Sequence, residues 1–214
     1  MKKHFSYSEM RLWERDKEEY VRQYVEGITP EPEPWMRLGS VIHSTLETPE
    51  YPWMKEMVEE NLGDIVAVRK ALNKMSKKLV GEPEVTLIGK TAYGTSLMAV
   101  LDRLDRTDKI MSEYKTTNKK GSWTQWRVDN DDQLSFYAYV YKLTYHSFFK
   151  EIRLHEIDTV GGCVKVLLTA RGPRDIGYIA EKVERVCDEI HDAGFWEKRL
   201  SREDREKLFM KKLL

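Results

Sequence analysis

Apolar residues recur at helical spacing along the first third of the chain and at strand spacing through its middle. Ser6 followed by Glu9 is a capping-box pair, and Tyr7, Met10, Trp13, Tyr20, Val21 and Tyr24 follow at helical intervals, with Gly27 as a stop. Pro30, Pro32 and Pro34 cannot continue that helix, so a second one is expected from about Trp35 to Leu46. After Pro49 and Pro52 the pattern predicts a longer amphipathic helix from about Met54 to Leu79. The period then falls to two. Glu84–Gly89, Ser96–Arg103 and Lys109–Thr116 read as strands, with turns at Gly94 and Thr107-Asp108. Lys115–Arg127 reads as a polar loop and Asp131–Phe149 as a tyrosine-rich helix. Ile152–Val160 and Cys163–Ala170 are expected strands around Gly161-Gly162, Pro173 opens a helix to about His191, and Ser201 begins a basic tail helix.

This order, helices then three strands, a helix, two strands and a helix, predicts a mixed α/β domain. A chain of 214 residues suits one domain (1–214), with a helical N-terminal part (1–80), a sheet and helix (81–170) and C-terminal helices (171–214). Lys plus Arg equals Asp plus Glu at 36 each, so any nucleic-acid surface must be local rather than a property of net charge. Two cysteines, Cys163 and Cys187, are too few for a disulfide framework, a Cys-rich zinc site or a four-Cys iron–sulfur cluster, and read as small core residues. No apolar run approaches the roughly 20 residues of a membrane span, and no signal-peptide core is present. The expectation is an intracellular, cytoplasmic protein, with a phage-encoded origin left open.

Three spacings carry candidate chemistry. Glu113-Tyr114-Lys115 is the only acid-x-Lys in the chain, and strand alternation puts Glu113 and Lys115 on one face with Tyr114 on the other. A hairpin through Thr107-Asp108 would bring Asp102, at the end of an apolar run, beside Glu113. Two carboxylates so placed repel unless a cation lies between them, and Mg²⁺ suits a pair of hard oxygen donors that must also accept phosphate. The competing reading is a structural ion pair of Lys115 with Asp102. Gly39-x-x-x-His43 puts a glycine on the helical face of His43, leaving room for a ligand or strand; an imidazole ligand would tilt preference towards Mn²⁺, and a packed core histidine is the alternative. Gln133-x-x-x-Tyr137 shares a helical face able to reach a phosphate or base, whereas Tyr139, Tyr141 and Tyr145 are expected to pack on the sheet. The Lys115–Arg127 segment holds Lys119, Lys120 and Arg127 beside Trp123 and Trp126 and no acid, a composition that fits a single strand whose bases stack; inward-packed tryptophans are the alternative.

Taken in order, these motifs resemble the RecB-like branch of the PD-(D/E)xK nuclease superfamily, which includes CRISPR-associated, phage and mitochondrial exonucleases. The resemblance rests on Phe5–Ser8, Leu38–His43, Ala99–Asp105, Glu113–Thr116 and Gln133–Tyr137. It implies a restriction-endonuclease-like α/β core, a central mixed β-sheet flanked by helices. It further implies His43, Asp102, Glu113 and the main-chain carbonyl of Tyr114 as ligands of Mg²⁺ or Mn²⁺, and Lys115 as the catalytic lysine. Gln133 and Tyr137 would support the site and contact DNA. Arg15 and Asp16 stand where many relatives place a Cys-Pro pair and no cysteine follows Trp196, so a member without the iron–sulfur cluster is expected. Ala99 replaces the glycine usual before the second motif. The activity implied is a metal-dependent DNA exonuclease, with endonuclease activity also open; a non-catalytic DNA-binding adaptor of the same fold is the alternative.

Overall fold

A computed structural model describes residues 4–48, 50–118 and 121–199. The strand β1 (Phe5–Ser6) leads into α1 (Tyr7–Arg15) through the expected capping box: Ser6 Oγ accepts from the Glu9 N–H, and the Ser6 N–H donates to Glu9 Oε2 at 3.0 Å. Extended Asp16 ends α1 and its carboxylate caps α2 (Lys17–Tyr20), which passes into a π-helical turn at Val21–Val25. Pro34 begins α3 (Pro34–Glu47), one residue before the expected start. The single long helix expected over 54–79 is two, α4 (Trp53–Glu59) and α5 (Ile65–Met75). Asn61 and Gly63 take positive φ between them, and Asp64 caps α5 by accepting from the Val66 and Ala67 N–H groups.

The central strands are β2 (Glu82–Lys90), β3 (Ser96–Asp105) and β4 (Ile110–Thr117). The segment expected to be all loop contains α6 (Gln125–Asp129), capped by Thr124. Then come α7 (Asp132–Tyr145), β5 (Glu151–Asp158), β6 (Cys163–Thr169) and α8 (Pro173–Asp192). Left-handed His146 ends α7 before the expected Phe149. The tail helix expected from Ser201 falls outside the described residues.

The fold is α/β, with a central mixed sheet flanked by helices. Strands run β2-β3-β4-β5-β6, antiparallel except for β4 and β5, which are parallel and joined across α6 and α7. On one face α1, α7 and α8 bury Met10, Trp13, Phe136 and Val183 against Leu97, Ala99 and Leu101 of β3. On the other, α3 and α5 bury Val41, Ile42, Val68 and Leu72 with Tyr114 and Ile157. Tyr139 and Tyr141 pack as expected; Tyr145 is exposed.

Two irregularities position the site. First, β4 pairs with β5 from Ile110 to Thr117, but with β3 only from Ile110↔Asp105 to Ser112↔Arg103. The sheet forks there, and β1 occupies the far end of the same β3 edge, at Leu97 and Met98. Second, the alternation of β3 slips: Leu97, Ala99 and Leu101 face the α7 side, and the next residue to do so is Leu104. Asp102 and Arg103 therefore both turn from that core. Opposite them in β2, Glu84 has φ of 48° and forms no pair with Asp102, although both flanking pairs of the ladder are present.

Candidate active site

The fork collects most of the residues singled out from sequence. Asp102 extends across its opening: Oδ2 accepts from the Tyr114 N–H at 2.6 Å, and Oδ1 lies 3.1 Å from His43 Nδ1 on α3. Asp102 thus closes with a side chain the ladder that the backbone abandons. Gly39, one turn before His43, is where β4 approaches; a Cβ there would sit 3.3 Å from Thr116 Oγ1. The expected close approach is that of a strand.

Glu113 and Lys115 lie on the opposite face of β4 from Tyr114, towards α7. Lys115 Nζ donates to Glu113 Oε1 and to Gln133 Oε1, each at 2.7 Å. Gln133 Nε2 contacts Glu113 Oε1 at 3.0 Å and the Tyr137 hydroxyl at 2.8 Å. The i, i+4 spacing on α7 therefore does hold Gln133 and Tyr137 on one face, and that face meets the acid-x-Lys pair. Lys115 pairs with Glu113, not with Asp102 as the structural ion-pair reading supposed.

Burial decides the electrostatics. Glu113 is 3 % exposed, and this desolvation, followed by the charge of Asp102, pushes its carboxyl up to about 7 against the pull of Lys115. Burial alone would lower the Lys115 ammonium, but the Glu113 carboxylate outweighs it and the net shift is upward. His43 follows the same logic: desolvation lowers it, the Asp102 hydrogen bond and charge raise it, and the latter prevail.

The donor chemistry suits a hard divalent cation. Asp102 and Glu113 supply carboxylate oxygens, and Glu113 Oε2 is buried without a hydrogen-bond partner, an orphan that a cation would satisfy. The expected three-side-chain ligand set is not assembled, however. Among the described residues no group of three or more His, Cys, Asp or Glu side chains stands close enough to hold an ion, because His43 Nδ1 is turned to Asp102 and Glu113 Oε1 to Lys115 and Gln133. At Tyr114 it is the N–H that Asp102 engages.

The basic-aromatic segment divides. Trp123 is buried (6 % exposed) with the Arg127 guanidinium 3.8 Å from its ring, so it shapes the chain instead of offering a face to a base. Trp126 is 75 % exposed on α6. Lys119 and Lys120 lie outside the described residues.

Sequence reasoning passed over two positioning groups. Glu156, 2 % exposed on β5, accepts from Ser122 Oγ (2.9 Å) and the Trp123 N–H (3.2 Å), anchoring the chain that leaves Lys115. An acid inside an apolar strand was the signal used for Asp102, and Leu154-His155-Glu156-Ile157 carries it equally. Buried Arg171 donates to the Val128 and Asp131 carbonyls and to Ser135 Oγ, fixing the start of α7 and so Gln133; no spacing announces it.

The forked sheet thus carries a carboxylate on each prong, Asp102 and Glu113, with Lys115 two residues beyond the second. The sequence profile of the PD-(D/E)XK nuclease superfamily matches residues 4–203, and the chain belongs to that superfamily. A crystal structure of a protein from Eubacterium rectale, provisionally named an exonuclease, is similar in fold: TM-score 0.64 at 12 % identity, covering 88 % of this chain and 80 % of that one. No curated protein matches the chain. Superfamily membership supports a nuclease in general terms, which implies a nucleic-acid substrate and a divalent metal. Among the described residues no helix is long and apolar enough to cross a membrane.

Proposed function

We propose that this chain is a single-domain, RecB-like nuclease that hydrolyses DNA at ends or in single strands with Mg²⁺ or Mn²⁺. The observation that carries the reading is the convergence of Asp102, Glu113, Lys115 and Gln133 at the fork. Asp102 and Glu113 would hold the metal, and His43, bonded to Asp102, would orient that carboxylate. When bound, a divalent ion polarises the phosphoryl oxygen, lowers the pKa of water and offsets charge in the transition state.

The remaining work falls to the protein. Lys115 keeps its charge through the Glu113 carboxylate, so it serves as a fixed cation facing the developing phosphorane and not as a proton donor poised near neutrality. Gln133 accepts from Lys115 and thereby fixes the direction of its ammonium. Tyr137 holds Gln133 in turn, while burial keeps its hydroxyl protonated and able to donate to a phosphate oxygen. Exposed Trp126 and Arg127 on α6 supply a stacking face and a charge for the strand beyond the cleaved bond. The exonuclease assignment is further supported by the fold shared with the provisionally named exonuclease.

The test is end-labelled single- and double-stranded DNA incubated with Mn²⁺, Mg²⁺ or EDTA, using wild type and Lys115→Ala. Cleavage should require metal, and Lys115→Ala should lower the single-turnover rate about a thousandfold while the protein stays folded. Cleavage that persists in EDTA, or is unchanged by the substitution, overturns the mechanism. Binding of DNA without cleavage by wild type favours the adaptor.

A further inference from the structure

The slip in β3 has a second beneficiary beside Asp102. Arg103 turns to the same side, and its guanidinium donates from Nη1 to the Gly81 carbonyl at 2.7 Å and from Nη2 to the Leu46 carbonyl at 2.8 Å. Leu46 lies in the last turn of α3, where carbonyls lack intrahelical N–H partners and the helix dipole is negative. That turn contains no basic residue of its own. The cation that satisfies it comes from the strand.

The geometry makes two struts. Asp102 grips α3 at His43 and Arg103 grips it at Leu46, three positions on, so successive strand residues hold neighbouring points of one helix. The same guanidinium fixes the turn ahead of β2. Gly81 has φ of 86°, and a Cβ there would lie 2.4 Å from the Leu104 backbone, so this turn lies directly on the strand that Arg103 leaves. Regular alternation would send Arg103 into the α7 core and leave Asp102 with the only hydrogen bond from β3 to α3 among the described residues. The left-handed backbone of Glu84, opposite, marks where that alternation is broken.

We propose that Arg103 is a positioning residue: by clamping the C-terminal turn of α3 to β3, it holds His43 where Asp102 can meet it. It touches neither carboxylate of the fork; besides the α3 carbonyl it holds the Gly81 carbonyl and faces the Tyr114 hydroxyl, and it reaches His43 through the helix. The consequence for cleavage rests on the nuclease reading above; the clamp itself does not.

Amide hydrogen exchange on wild type, Arg103→Ala and Arg103→Lys separates the two. In Arg103→Ala the amides of residues 43–48 should exchange about tenfold faster, while those of α7 and β5 keep their wild-type rates; Arg103→Lys, able to reach one carbonyl, should recover part of the protection. Unchanged exchange in α3, or equal acceleration in α7, overturns the clamp. Mn²⁺ binding by electron paramagnetic resonance and cleavage against Mg²⁺ concentration are then measured well below the melting midpoint of each variant. Arg103→Ala should weaken the apparent metal affinity about tenfold and leave the KM for DNA unchanged, with partial rescue in Arg103→Lys. Wild-type metal affinity in a variant whose α3 has loosened refutes positioning by Arg103. Failure of wild type to bind Mn²⁺ or to cleave refutes the nuclease reading instead, and the clamp then stands or falls on the exchange data.

Discussion

The two edges of β4 are built from opposite choices. Towards β5 the strand pairs continuously from Ile110 to Thr117, and its neighbours from Leu154 to Asp158 are buried. Towards β3 it pairs for three residues and then parts, leaving a side chain, Asp102, to receive the Tyr114 N–H that a strand would otherwise take. Burial supplies the rigidity at the first edge, and the second uses that rigidity to hold charged side chains in place at a partly exposed opening. A fork of this kind allows two carboxylates and an ammonium to share a partly buried opening, because a continuous ladder would fill the gap with backbone. The two histidines packed on Tyr114 repeat the contrast. His43 stands 5.7 Å from its ring on the fork side with Asp102 as partner, and His155 stands 5.6 Å away on the paired side with neither ring nitrogen satisfied.

The largest effect on stability should come from erasing the open edge. Asp102→Ala strands the Tyr114 N–H and the His43 imidazole together, at a cost of about 3 kcal/mol from two part-buried polar groups losing their partner. Urea unfolding should show it as a lower midpoint with an unchanged m value. Asp102→Asn, which keeps an acceptor for Tyr114, should lose less. Equal stability of Asp102→Ala and wild type would mean that the side chain does not close the ladder.

The paired edge predicts a pH effect of the next size. Burial, then the charges of Lys78 and Arg153, lower His155 to about 4. Its folded-state pKa lies below the unfolded value near 6.5, so the unfolded chain binds more protons between those limits. Stability from this group is complete above pH 6.5 and is lost as pH falls towards 4, by about 2 kcal/mol between pH 7 and pH 5. His155→Phe should flatten that slope, measured as the difference in unfolding free energy at the two pH values. His43, shifted upward, has the reverse sign: its contribution is present below pH 6.5 and fades as pH rises through its folded value. A slope unchanged in His155→Phe would break the contrast between the two rings.

The smallest effect lies outside the sheet. Trp126→Ala should weaken binding of single-stranded DNA by about 1 kcal/mol, or fivefold in Kd, read by fluorescence anisotropy in EDTA. Trp123→Ala should instead lower thermal stability, since that ring is buried under Arg127. A larger loss of affinity from Trp123→Ala than from Trp126→Ala would reverse their assignment.

Much of this was legible in sequence where spacing and geometry coincide. Glu113-x-Lys115 and Gln133-x-x-x-Tyr137 place side chains by periodicity alone, and both pairs meet as expected. The capping box at Ser6 followed equally from a local rule, and the room at Gly39, open in sequence to a ligand or a strand, is taken by β4. The misses share a different cause. Asn61 breaks the long helix with a left-handed backbone that its side chain only mildly favours, and the apolar periodicity on either side conceals the break. The slip at Asp102-Arg103 coincides with left-handed Glu84 in another strand, and the grip of Arg171 on α6 and α7 spans the fold. The arrangement of the three candidate ligand side chains was hidden for a similar reason: motif order identifies which residues reach the fork, while their hydrogen bonds to one another decide which way their oxygens and nitrogens turn.

The central claim is that the open edge of β4 is a metal site built on Asp102 and Glu113. Crystals soaked in Mn²⁺ and measured at the manganese absorption edge address it directly. One anomalous peak should lie at the fork within ligand distance, about 2.2 Å, of oxygens from both carboxylates, and it should vanish in Glu113→Gln. Saturating Mn²⁺ that leaves the fork without a peak, or a peak that survives in Glu113→Gln, would contradict the account.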